Sequence, residues 1–130
     1  MRVKVLMIMK ISPENIPRSI VDLAATKDIV GSEHDALIIM EMFLDSIPET
    51  KKEFESAVQA QDVEQLRAIC HRIKGSTSYF VAPQVIEKLS ILHDLLRYEP
   101  DSGTKWLTAY DEFLIALDNL YSMCRNDAKH

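Results

Sequence analysis

Glycine and proline are scarce in this chain: three and five copies in 130 residues. A sandwich or barrel of short strands needs frequent turn residues, so this scarcity argues against a β fold. Cysteine is scarce too. Cys70 and Cys124 make no disulfide framework, and both fall on apolar helical stripes, so reduced core thiols are expected. No apolar run is long enough to span a bilayer. The run Val5–Met9 lies between basic residues, but it is short for a signal-peptide core and no small-residue cleavage site follows it. An excess of positive charge is also missing. The net charge is −5 and the pI is near 5.3, which disfavours nucleic acid as a bulk electrostatic partner.

One stretch lacks carboxylates. From Gln65 to Ile86 there is no Asp or Glu, while Arg67, Arg72 and Lys74 fall inside it. A locally basic site on an acidic protein can hold an anion or dock onto an acidic pocket. The alternative is a chance gap on a solvated face.

Apolar residues make up 47% of the chain, and they recur mostly at helical spacing. The length suits one domain with a real core. Residues 1–16 read as an N-terminal arm, with Val3, Val5, Leu6, Ile8 and Ile11 as apolar points and Pro13 as punctuation. Residues 17–125 read as a single helical domain, and 126–130 as a tail that should fray. Pro17 suits a first turn, and Gly31 a left-handed stop to a short first helix. Ser32 opens a longer helix, kinked at Pro48, over about 33–60. Asp62 caps the next helix, with Gln65 completing a capping-box pattern, and that helix runs to about Tyr79 or Phe80. Pro83 starts another, with Val85, Leu89, Leu92 and Leu96 as its stripe. Ser102 or Thr104 caps the last, which turns Trp106, Leu107, Tyr110, Leu114, Leu117, Tyr121 and Cys124 inward. Short connections imply antiparallel neighbours. The expected fold is therefore all-α: an antiparallel up-and-down four-helix bundle with one or two additional N-terminal or peripheral helices.

The third of these helices carries the functional question. Val63, Leu66, Cys70, Ile73 and Thr77 line one stripe. At 100° per residue, Arg67, His71, Lys74, Gly75 and Ser78 share a different, outward face. A mid-helix glycine costs about 1 kcal/mol against alanine. Gly75 lies four residues after His71, where a side chain would crowd the imidazole, so its absence leaves the ring open to a large partner. A packing glycine or an early helix cap are the alternatives. Lys74 can reach over His71 and hold a phosphoryl group there. A nearby cation also favours the neutral, nucleophilic form of an imidazole. Arg67 is one turn earlier, and Ser78 offers a hydroxyl. An ordinary solvated face is the alternative for both cations. Cys70 reads as core, and His71 with His93 lacks the further ligands a metal site needs.

The segment His71-Arg72-Ile73-Lys74-Gly75-Ser76-Thr77 resembles the signature of histidine phosphotransfer (HPt) domains: His, any residue, Leu or similar, Lys, Gly, then two small residues. Asp62, Leu66 and Cys70 resemble the approach to that signature. Phe43-Leu44, Ile47-Pro48, Phe54 and Ala57 are similar to the family's preceding helix. The similarity covers roughly residues 20–98. Cys70 stands where the family commonly has Ala, Ile73 where it has Leu, and Val81 where a glycine frequently ends the helix. His93 falls where the family often carries Gln or Glu near the phosphoacceptor.

The resemblance implies a phosphocarrier in a two-component phosphorelay. His71 would be the phosphoacceptor, Lys74 the group that stabilises the phosphoryl, and Gly75 the access for the partner. Arg67, Ser78 and His93 would stand around them. No metal and no cofactor of its own is expected; Mg²⁺ would come with the partner receiver domain. Response-regulator receiver domains and a hybrid sensor histidine kinase would be the partners of a cytoplasmic, monomeric protein that is not itself an enzyme and touches neither nucleic acid nor membrane. The alternative is an HPt-shaped interaction module that binds a receiver or kinase without being phosphorylated.

Overall fold

The computed structural model describes residues 16–125; the expected arm, apart from Ile16, and the expected tail lie outside them. Five helices follow in order: α1 (Leu23–Val30), α2 (Glu33–Gln59), α3 (Val63–Ser76), α4 (Pro83–Tyr98) and α5 (Thr104–Arg125). No strand occurs among the described residues. Helices α2 to α5 pack in sequence, and α5 closes against α2. Helix α1 packs on α2 as the additional N-terminal helix.

Ion pairs give the register and the antiparallel sense. Lys51 of α2 meets Asp118 of α5 at 2.7 Å, and Arg125 meets Asp45 at 2.7 Å, so α2 ascends as α5 descends. Arg72 of α3 is paired with Glu53 of α2, and Lys88 of α4 with Glu112 of α5 at 3.1 Å. The exposed pairs among these, Lys51–Asp118, Arg72–Glu53 and Lys88–Glu112, add little stability; burial holds the bundle. Its core is one cluster, with Met40, Leu44, Phe54, Cys70, Phe80, Leu92, Leu96 and Phe113 among its fully buried members. Phe54 joins α2 to α5 through ring contacts with Tyr110 at 5.6 Å and Phe113 at 5.4 Å.

The helix ends follow local chemistry. Gly31 takes φ 103° and returns its N–H to Lys27 O. Ser32 Oγ accepts from Asp35 N–H, with Glu33 and Asp35 in the first turn of α2. Helix α2 then runs unbroken through Pro48. Beyond its last residue, Gln59, Gln61 turns the chain with a φ of 52°. Gln61 N–H reaches Val58 O, and Asp62 N–H reaches Ala57 O, the paired bonds of a Schellman stop. Asp62 Oδ1 accepts from Gln65 N–H and caps α3. The return half of a capping box is not made, because Asp62 N–H already serves Ala57.

Three further expectations change. Helix α1 starts at Leu23, capped by Asp22, and Pro17 instead opens the turn that precedes it. Leu107 is 41% exposed, while Ala109, Phe113, Ala116 and Leu120 complete the inner face of α5. Helix α3 stops at Ser76, and residues 77–82 form a turn. Thr77 Oγ1 closes on Lys74 O at 3.1 Å and Ser78 Oγ on Gly75 O at 2.6 Å. These hydroxyls satisfy carbonyls that lack helical partners, so the helix ends without a left-handed residue. Val81, which stands where the resembled family frequently has a glycine, needs no positive φ.

Candidate functional site

The core stripe of α3 buries Leu66, Ile69, Cys70, Ile73 and Thr77. That fixes the rotation of the helix and turns His71 outward, where it is exposed. Burial pushes the Cys70 thiol up to about 12, with Lys74 pulling the other way, so Cys70 is an inert core thiol. Cys124 is likewise free, buried and pushed up, to about 11.

Around His71, the expected outward face is present. Gly75 and Ser78 are exposed; Arg67 and Lys74 are half-buried. The Lys74 ammonium stands in the last turn of α3, where the helix dipole favours a cation. Arg72 is turned aside onto Glu53, with a second nitrogen at 3.2 Å from Oε2. Ser78 spends its hydroxyl proton on Gly75 O.

A Cβ built on Gly75 meets nothing within 4 Å. The glycine therefore packs against no neighbour, and its φ is not positive, so it is no left-handed cap either. What lies beside it is open space. That space continues into a groove of about 390 Å³. Ile39, Met42, Phe43 and Ser46 of α2 form one wall; Gly75, Ser76, Tyr79 and Phe80 form the other. Met42 is 63% exposed and Tyr79 58%. The sequence reading missed this pair. Met42 was detectable as an apolar residue off the Met40–Phe43–Leu44–Ile47 stripe; Tyr79 was hidden inside a helix drawn too long.

His93 comes from α4. It is 6% exposed, deeper than a position beside its stripe suggests. Burial lowers its proton affinity, and the charges of Lys74, Arg97 and His71 lower it further, against Asp94. His71, Lys74 and His93 thus share one electrostatic neighbourhood. The Nδ1 of His93 is buried with no hydrogen-bond partner. Among the described residues no group of three or more His, Cys, Asp or Glu side chains is placed to hold a metal ion.

An exposed histidine, a cation one turn later and a side-chain gap opening onto an apolar groove are set on one helical bundle. The family model for the Hpt domain matches residues 38–123, from within α2 to the last turns of α5. This chain belongs to the Hpt domain family. Among curated proteins it is similar to the signal transduction histidine-protein kinase BarA of Escherichia coli (strain K12), with 27% identity over 105 residues. That match covers 81% of this chain and 11% of BarA; BarA of Shigella flexneri gives the same figures. The chain thus spans 11% of the length of the curated relatives it matches. No solved structure matches it. As an Hpt domain it has a phosphotransfer role in two-component signalling. No helix among its described residues is long and apolar enough to cross a membrane.

Proposed function

We propose that this Hpt domain is a phosphocarrier in a phosphorelay, with His71 as its phosphoacceptor. The observation that carries the reading is the exposed His71 with Lys74 three residues on and open space at Gly75. A neutral imidazole nitrogen attacks the phosphorus of a receiver's aspartyl phosphate. The N–P bond forms as the P–O bond to the aspartate breaks, and the carboxylate leaves. A second receiver's aspartate reverses the step. The transition state is loose and needs in-line placement and charge neutralisation more than acid–base work. Lys74 supplies charge on this side. Mg²⁺ and its acidic ligands belong to the receiver, so the domain needs no cofactor of its own and has no kinase activity.

The groove beside Gly75 suits the partner's docking surface. Met42 and Tyr79 give apolar contact area on the groove that Gly75, one turn after His71, also lines. Receiver domains and a hybrid sensor histidine kinase are the partners. The protein works as a cytoplasmic monomer, without nucleic acid or membrane. Arg67 adds positive potential one turn before His71. His93 backs the reacting ring from α4, a place its buried Nδ1 fits.

The test is direct. Purified receiver domains from the genome that encodes this chain are phosphorylated with labelled acetyl phosphate in Mg²⁺, which releases acetate, then freed of the donor and mixed with the wild type and with His71→Gln. Acid-labile, base-stable label on the wild type alone supports the carrier. Binding without label across the receivers favours the unphosphorylated interaction module instead.

A further inference from the structure

Helix α4 begins with Pro83 behind Ala82, and no side chain caps it. Its early N–H groups, and the backbone of the turn before it, need other partners. These come from the N-terminal segment. Gln84 N–H donates to Ser19 O at 3.1 Å. Val81 O accepts from Asp22 N–H at 2.9 Å. Val81 N–H donates to Thr26 Oγ1 at 3.0 Å. Thr26 is wholly buried and its hydroxyl proton goes to Asp22 O at 3.0 Å, so one side chain ties the turn at Val81 to the start of α1.

Both backbone groups of Val81 are therefore fixed from residues 22–26, which lie outside the span 38–123 that matches the family. Two residues before Val81 stands Tyr79, exposed on the groove beside Gly75; between them Phe80 is wholly buried. We infer that Thr26 is a positioning residue for the docking surface: through Val81 it sets where Tyr79 stands at the groove edge, and so tunes recognition of the receiver. The inference rests on the carrier reading given above. Its action is on docking, so a small phosphoryl donor should not feel it.

The test compares Thr26→Val, which keeps shape and loses the hydroxyl, with Thr26→Ser, which keeps it. Each is given two donors. One is phosphoramidate, whose P–N bond breaks and releases ammonia as His71 takes the phosphoryl. The other is the set of phosphorylated receiver domains. Thr26→Val should raise KM for the receiver about three- to tenfold with maximal rate within about twofold, and leave the phosphoramidate rate unchanged. Thr26→Ser should restore the wild-type KM. Tyr79→Ala should raise KM as well, and the double variant should be no worse than Tyr79→Ala alone. Additive effects, or equal losses with both donors, would overturn the inference. If valine prevents folding, Thr26→Cys, with its weaker acceptor, reads the same split. If wild-type His71 takes label from neither donor, the carrier reading fails; receiver affinity then decides, and equal affinity of wild type and Thr26→Val overturns the positioning role. Wild-type binding to no receiver overturns both.

Discussion

The ring of Phe80 lies tilted at 45° against that of Phe43, with centroids 5.2 Å apart. Both rings are buried and both border the groove beside Gly75. The turn after α3 is thus anchored on α2 through Phe80, while Val81 is tied to Asp22 and to Thr26 of α1. Replacing Phe80 with Ala removes a full ring from a closed core and should cost about 3–5 kcal/mol. Phe80→Leu should cost clearly less. Urea denaturation of both variants checks the order, and a loss below about 1 kcal/mol for Ala would show that the turn collapses freely.

Gly75 separates stability from transfer. Its added Cβ meets open space, and the residue is helical. Gly75→Ala should therefore raise stability by up to about 1 kcal/mol. Gly75→Leu should leave helicity intact and slow transfer from a phosphorylated receiver by about tenfold or more, since the side chain would stand between His71 and the groove. Circular dichroism and transfer rates on the same samples decide. If the Leu variant transfers at the wild-type rate, Gly75 does not provide access.

The local half of the fold was legible in the sequence. Gly31, Ser32, Asp62 and Pro83 act within one turn of their own helices, and each does what its residue type favours. The spacing of Leu66, Cys70, Ile73 and Thr77 was enough to turn His71 outward. The tertiary half was not legible. Nothing near Thr26 in the sequence signals its burial, which comes from Val81, distant in sequence, being brought against it. Leu107 repeats the helical period but remains 41% exposed. The overlong α3 has a plain cause: Thr77 and Ser78 can close on the last helical carbonyls, and neither glycine nor proline marks the stop.

His93 gives the bundle a pH dependence. Its folded-state proton affinity is below the ordinary 6.5, through burial first and the charges of Lys74, Arg97 and His71 after it, with Asp94 opposing. The unfolded chain then binds the proton more readily, so stability is lost as pH falls below about 6.5 and continues to fall until the folded-state ring titrates. His93→Gln removes that term. Between about pH 7.5 and about pH 5.5 the variant should lose less stability in urea than the wild type. Parallel losses would mean that His93 is not held neutral.

Arg125 closes the far end of α5 on α2. Its guanidinium meets Glu41 at 2.5 Å and Asp45 at 2.7 Å, beside the Tyr121 ring at 5.9 Å. Arg125 and Glu41 are largely buried, and Glu41 has its carboxyl raised above the ordinary 4.5 by burial, against the pull of Arg125. A raised carboxyl favours the folded state at low pH and loses that contribution as pH rises through its folded value. Arg125→Met leaves the Glu41 carboxylate buried beside Asp45 with no cation. The variant should lose about 2–3 kcal/mol at neutral pH, and part of that loss should return on acidification as Glu41 takes up its proton. The double variant Arg125→Met with Glu41→Leu should recover most of it at every pH, because the unpaired charge is gone. Denaturant midpoints at two pH values for the three proteins read all of this. A loss in Arg125→Met that does not change with pH would show that packing over Tyr121, and not the stranded carboxylate, is what Arg125 contributes.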